Sequence, residues 1–335
     1  MTLVAKPSSP LQGREIAHLL TETLGMDAEP EAWQSWKYWD RHPFAEGTRS
    51  YLLLQGDTVV AHGACWPIRL QANFGELNCM HWVDWAANPQ IPGAGIQVLR
   101  FCQKKFAGVI SIGGTAHTKR ILPALGFKPY NTFYLLYRPF RPLTATARSA
   151  ARDWKLPLQA ARNLVTSQFP RIRLPAAWSF LQVPPEEIPG TLFPHSVGDE
   201  PVSQRRPELL NYLMKYPGFQ YAACFLLYRA QSPAAYFCLA RRNGQARLID
   251  YGPNAMSEEV GMALALAAQE AARSEYQQVV DILTATTELS VAAGFIRAGF
   301  RKGAEDPINV LKVSKALDNT SSFRLTLADS DLVVF

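Results

Sequence analysis

Residues 90–95 read Gln-Ile-Pro-Gly-Ala-Gly. They lie between an apolar, aromatic run, Leu77 to Ala86, and a second run, Ile96 to Lys105. The first pattern predicts a strand and the second a helix. A strand, a glycine turn and a helix start bring unpaired backbone N–H groups and the positive end of the helix dipole to one spot. Gly93 and Gly95 let the backbone approach a ligand with no side chain between. The chemistry is anion binding, and a phosphorylated molecule is the expected ligand. Pro92 has no N–H and removes one donor from the cradle. Groups that could move a proton stand near the loop in sequence: His81 and Asp84 on the strand before it, and His117 beyond the following helix.

The flanking elements are legible too. Tyr51 to Ala61 predicts a hairpin turning at Gly56-Asp57. Asn73-Phe74-Gly75 is a second turn, before the strand that carries Asp84. Downstream, Gly108 to Ile112 is an apolar strand closing on Gly113-Gly114, and Thr115 is a good N-cap. Ala116 to Leu125 predicts a short helix despite Pro123, ended by Gly126. Phe127-Lys128 then opens another aromatic strand. The order is helix, hairpin, strand, loop, helix, strand, helix, strand.

The loop spacing discriminates among phosphate binders. Neither G-x-G-x-x-G nor G-x-x-x-x-G-K-[ST] is present. Q-x-x-G-x-G, in this order of elements over residues 11–139, resembles the pyrophosphate loop of the GNAT (GCN5-related) acyl-CoA N-acyltransferases. The resemblance implies an α/β fold with a mixed, mostly antiparallel sheet flanked by helices. It also implies acetyl-CoA or another acyl-CoA as co-substrate and an amine as acceptor. On this reading the cofactor-binding candidates are Trp85, Ala86, Gln90, Ile91, Gly93, Ala94, Gly95 and Ile96. Thr115 joins them at the position of the family's helix-leading Asn, where it would meet the pantetheine arm.

The chain also repeats itself. Trp36 to Phe44 is echoed by Tyr212 to Phe219, Val83-Asp84-Trp85 by Ile249-Asp250-Tyr251, and Leu125-Gly126-Phe127-Lys128 by Ala298-Gly299-Phe300-Arg301. The offsets are 174 residues at Pro43/Pro217, 166 at Asp84/Asp250 and 173 at Gly126/Gly299. Three echoes in one order predict two tandem GNAT-like domains, at 1–140 and 196–335. The second copy has lost the loop: after Asp250 come Gly252-Pro253-Asn254, and Glu258 and Glu259 would repel phosphate. It reads as degenerate. Between the copies, residues 141–195 form a linker, with a helical part from Thr144 to Ser167 and then a proline-rich stretch. The linker is basic: Arg141, Arg148, Arg152, Lys155, Arg162, Arg171 and Arg173 face only Asp153 as a nearby acid. This fits a solvated helix, or weak peripheral contact with a membrane surface or another anion. Stacking aromatics are not interleaved with these cations, so nucleic acid is not an expected partner.

Composition sets the outer bounds. With 335 residues, 48% hydrophobic and 19% charged, the chain is expected to fold as a soluble protein of more than one core. No apolar run approaches the roughly 20 residues of a membrane span. The start of the chain lacks a signal-peptide apolar core. The five cysteines are scattered, with no C-x-x-C, and read as reduced buried thiols in a cytoplasmic protein. No histidine spacing suggests a metal.

Acyl transfer to an amine needs a base for the attacking ammonium, donors for the thioester oxyanion and a proton for the leaving thiolate. Asp84, on the strand feeding the loop, is the first candidate base; its repetition at Asp250 fits a structural role equally. His81 would face the opposite side of that strand. His117, in the first turn of its helix, is either a surface residue or a neighbour of the cofactor thiol. The family's tyrosine acid corresponds here to Leu122, with Phe295 in the second copy. Tyr130 is the nearby substitute, and Tyr134 lies beyond it. Trp66, Phe74, Trp82 and Trp85 could line an acceptor cleft or pack a core. The acceptor class is a small molecule, an amino sugar or a peptide. Two other readings remain: a FemAB-like transferase using aminoacyl-tRNA, and a GNAT-fold binding module without activity.

Overall fold

The computed structural model describes residues 2–27, 29–73, 75–141, 144, 164, 172–196, 200–254, 256–275, 279–318, 320 and 322–333. Most of the basic part of the linker, and Phe74, lie outside the described residues.

Strand β1 (Leu3–Pro7), helix α1 (Gly13–Leu24) and a short helix α2 (Glu31–Gln34) come first. The long strands β2 (Ser50–Gln55), β3 (Thr58–Ala72) and β4 (Gly75–Ala87) follow, then α3 (Ala94–Gln103), β5 (Gly108–Ile112), α4 (Ala116–Ile121) and β6 (Lys128–Pro139). The second half runs β7 (Trp178–Val183), β8 (Val202–Ser203), α5 (Pro207–Met214), β9 (Tyr221–Arg229), β10 (Ser232–Arg242) and β11 (Gln245–Gly252). It ends with α6 (Glu258–Glu275), β12 (Asp281–Thr286), α7 (Leu289–Arg297) and β13 (Arg301–Lys312). The elements flanking the glycine loop are where their sequence patterns put them. Pro123 ends α4 early, because it cannot donate to the helix. Strand β7 lies inside the stretch that composition marks as linker.

One mixed, mostly antiparallel sheet runs through the molecule in the order β1-β2-β3-β4-β5-β13-β6-β12-β11-β10-β9-β7. Each half contains one parallel pair, β4 with β5 and β11 with β12. The two terminal strands are exchanged. β13 pairs with β5 of the first half, and β6 pairs with β12 of the second. β6 and β13 also pair with each other, so the strand order reads alike from either end.

Helix α3 covers one face of the first half with Val98, Leu99 and Cys102, against Tyr51, Val60, Met80 and Trp82. The opposite face carries a core built from both halves: Ile16 and Leu19 of α1, Trp36 and Tyr38, Leu209 and Leu213 of α5, Ile249, and Phe323 to Ala328 near the end of the chain. Here the repeated segments meet. Trp36 and Tyr212 stack at 4.5 Å and 13°, and the Trp36 indole donates to the Tyr212 carbonyl at 3.1 Å. All five cysteines are buried and free. Among the described residues no helix is long and apolar enough to cross a membrane.

Candidate functional site

The site begins with a splay in the sheet. β4 and β5 are paired only from Cys79/Gly108 to His81/Ile110. Beyond that point β4 runs on to Ala87 and β5 turns away, leaving a fork. At its apex the Ile112 N–H donates to His81 Nε2 over 3.4 Å. The fork opens into a cleft of about 660 Å³. Trp85, Ala86, Ala87 and Asn88 form one wall, the loop Ile91–Ile96 its end, and Thr115, His117, Thr118 and Ile121 the other wall. Thr23 and Leu24 of α1 close the rim.

The loop geometry follows from its glycines. Gly93 is the N-cap of α3 at φ +79°, a left-handed conformation that L side chains adopt at a cost. The space where its side chain would be is empty. Helix geometry leaves the Gly95 and Ile96 amides without an acceptor inside α3, and no acidic residue stands in that first turn. Gly95 has another duty. A Cβ there would lie 2.7 Å from Trp85 Nε1, which donates to the Gly95 carbonyl at 3.0 Å. Trp85 thus ties the loop to β4. Across the cleft, the Thr115 hydroxyl caps α4 by accepting the Thr118 N–H at 3.1 Å.

Of the residues singled out by sequence, Trp85, Ala86, Ile91, Gly93, Ala94, Gly95, Ile96, Thr115 and His117 share this cleft. Gln90 does not. Its amide donates to the Asn88 side chain, and it lines a neighbouring depression with Glu15, Glu22 and Asp57. Tyr130 is also elsewhere: it stacks on Phe323 at 5.0 Å, with Lys312 over its ring. It is a packing residue near the start of β6, which the strand exchange sets beside β13. Leu122 is buried in the α3-side core, so no hydroxyl replaces the expected tyrosine there. Trp66 and Trp82 are core residues.

Asp84 lies behind the cleft, on the other face of the sheet. Strand alternation places His81 and Asp84 on opposite faces, but β4 carries a bulge where the β3 register slips between His62 and Ala64. Asp84 sits in it at φ +50°. Met80, Trp82, Trp85 and Ala87 pack with the α3-side core, whereas Cys79, Val83 and Ala86 pack on the opposite side. The bulge turns Asp84 toward His81, correcting the expectation from alternation. The Lys37 ammonium is 2.7 Å from its carboxylate, and the Tyr38 hydroxyl donates to it at 2.6 Å.

Two consecutive residues can reach one carboxylate because α2 continues as a wide turn, Ser35–Trp39, closed by the Asp40 N–H to the Ser35 carbonyl at 2.8 Å. Buried Arg49 fixes that turn by donating to the Lys37 and Asp40 carbonyls. Sequence reading missed Lys37 and Arg49; a lysine and an arginine among aromatics were the available signal.

These partners decide the charges. Burial pushes the Asp84 carboxyl up, but the Lys37 ammonium and the two hydrogen bonds hold it below its ordinary value. Burial opposes the Lys37 charge, and Asp84, Glu29 and Asp331 outweigh it. Asp84 is thus a locked anion, poorly suited to take a proton. Burial lowers His62 and His81 from 6.5 to about 4. His81 accepts at Nε2, so its neutral ring carries the proton on Nδ1, which faces Asp331 Oδ1 at 4.0 Å. Asp331 is the carboxyl that can titrate. Burial first, and then the Asp84 charge, raise it from 3.8 to about 6, with Lys37 acting against them. It lies 247 residues from Asp84 in sequence, with no motif to mark it.

The chain matches no family model and no curated protein sequence. Its fold has clear relatives. A GCN5-related N-acetyltransferase from Anabaena variabilis superposes with TM-score 0.58 at 9% identity, over 93% of this chain and 73% of that one. A probable N-acyltransferase from Enterococcus faecalis gives 0.56 at 11% over 94% and 73%. Saccharomyces cerevisiae N-myristoyltransferase, solved with bound myristoyl-CoA, gives 0.59 at 10% over 93% and 79%. The chain therefore has the GNAT fold over nearly its whole length.

Proposed function

We propose that the chain is an acyl-CoA-dependent N-acyltransferase in which the first half, residues 1–140, binds the donor. The second half, residues 196–335, acts as a degenerate GNAT-like domain that completes the acceptor side. The observation that carries the reading is the forked cleft ending on the free amides of α3. An extended thioester fits such a cleft with its phosphates at Gly93–Ile96 and its acyl end toward the β4 bulge. The fold relatives that use acyl-CoA support the same donor. The acceptor is an amine of a small molecule, an amino sugar or a peptide.

In this scheme Asp331 takes a proton from the acceptor ammonium. The freed amine attacks the thioester carbon, the C–N bond forms and the C–S bond breaks, and the nitrogen gives up its second proton to solvent. The thiolate leaves into the cleft, where solvent and His117 can return a proton. A base that titrates near 6 is well matched to neutral pH. His81 and the Lys37–Asp84 pair hold it in place.

Asp331→Asn tests this assignment. The acylation rate is expected to fall on the order of 10²–10⁴-fold, with acetyl-CoA affinity unchanged. In the wild type, kcat/KM is expected to be lost as pH falls through about 6, when the Asp331 carboxyl takes up its proton. An Asp331→Asn variant of full activity excludes it as the base.

A further inference from the structure

Near the Lys37–Asp84 pair the two halves bring together buried polar groups whose bonding capacity is unmet. Glu29 Oε1, His81 Nδ1, the Tyr216 hydroxyl, and Arg242 Nε and Nη1 are all shut off from solvent without a hydrogen-bond partner. Buried polar groups in folded proteins are nearly always bonded. Unmet ones gathered in one place mark a spot that something else fills.

These atoms belong together although they come from four separate parts of the chain. Glu29 feels Lys37, Asp84, Arg242 and Asp331; Tyr216 feels Arg242, Glu29 and Lys37. The Arg242 guanidinium lies over the Trp33 ring at 4.8 Å and the Tyr216 ring at 5.7 Å. Trp33 and Tyr216 are themselves 5.7 Å apart, and Trp36 is 4.8 Å from Tyr216. Glu29, Trp33 and Arg242 are half-buried and form the outer end; Lys37, His81 and Asp84 are buried and form the inner one.

The unmet groups have a polarity. Arg242 and Tyr216 offer donors and need an acceptor, best an anion. Glu29 and Asp331 offer acceptors, and burial holds both carboxyls above their ordinary values. An incoming cation would stabilise their charged forms. One small ligand satisfies both ends if it carries an ammonium and an anionic group close together. We propose that this cluster binds an amino-acid zwitterion, its ammonium toward Glu29 and Asp331 and its carboxylate toward Arg242 and Tyr216. The proposal rests on the acyl-transfer reading only for the fate of the ligand, whose amine would be the acceptor; its binding stands apart from the donor.

Isothermal titration of the full chain with the standard L-amino acids tests the proposal. For any that binds, its decarboxylated amine and its N-acetyl derivative follow. The expected result is saturable binding of at least one amino acid, weakened about tenfold or more by loss of either charge. Arg242→Gln and Glu29→Gln are expected to weaken it similarly. Should either fail to fold, Tyr216→Phe, which removes one hydroxyl, decides; unchanged affinity in that variant overturns the proposal. It is also overturned if acetyl-CoA binds and no amino acid does, or if the decarboxylated amine binds as well as its parent. Amino-acid binding without acetyl-CoA binding upholds this site and removes the acyl-transfer reading instead.

Discussion

Asp84 and Asp250 occupy equivalent places on β4 and β11, and their surroundings differ in one respect. Asp250 is closed. Arg205 donates to it at 2.9 Å and to both oxygens of Asp329, and its remaining N–H groups go to Ser203, Gln204 and Thr326. Tyr236 and Thr326 donate to Asp250 as well. Asp84 is held by Lys37 and Tyr38, but of the groups around this pair Glu29, His81, Tyr216 and Arg242 are left with atoms unbonded. The helices that follow differ in the same sense. α3 opens with bare amides at Gly95 and Ile96, whereas α6 opens with Glu258 and Glu259, paired with Arg297 and Arg229. Around Asp250 the polar groups are satisfied throughout; around Asp84 they are left incomplete, and the proposed site lies on that side.

The contrast can be broken at its strongest point. Arg205→Met leaves two carboxylates buried without their cation and is expected to cost about 3–5 kcal/mol by chemical denaturation. Arg242→Gln removes the same charge from the open side. It is expected to cost only about 1 kcal/mol, since it loses ring contacts but no hydrogen bonds from Nε and Nη1. Equal losses would erase the distinction between the two regions.

Acid is the next probe. His62 and His81 are neutral in the fold, at about 4, but titrate near 6.5 when unfolded. Their contribution is fully present above 6.5 and lost as pH falls toward 4, on the order of 3 kcal/mol for each. Asp331 acts in the opposite sense. Its raised carboxyl favours the fold at low pH, a contribution lost as pH rises from 3.8 through about 6. The two histidines outweigh it, so net stability should fall between pH 6.5 and 4. Because Asp331 offsets about one histidine, replacing His62 by Asn should remove most of the decline, read from denaturation midpoints across pH. An unchanged slope would show that His62 is not held neutral. The smallest effect belongs to the cleft wall: Thr115→Ala loses one cap and about 1 kcal/mol, seen as a small drop in Tm.

Much of this was legible in the sequence, for physical reasons that set the limits too. The glycine loop and its flanking strand and helix follow from local rules, as do the Thr115 cap and the Gly126 stop. The echo of Trp36–Phe44 in Tyr212–Phe219 marked two segments that pack together. Three features were not legible. The exchange of β6 and β13 depends on pairing between strands far apart in sequence, and it sets β6, with Tyr130, beside β13. The bulge at Asp84 shifts a face by one residue, which no periodicity reveals. Lys37, Arg242 and Asp331 reach one place from three parts of the chain, and only the folded core brings them together.

The proposed function requires first that an acyl-CoA occupy the forked cleft through the Gly95 and Ile96 amides. The most direct measurement is isothermal titration of acetyl-CoA into the full chain and into Gly93→Asp. That variant places a carboxylate in the cradle at φ +79°, in space that is open in the protein. Saturable binding to the intact chain is expected, with affinity at least about tenfold lower in the variant and Tm little changed. No binding to the intact chain, or equal binding to both proteins, would contradict it.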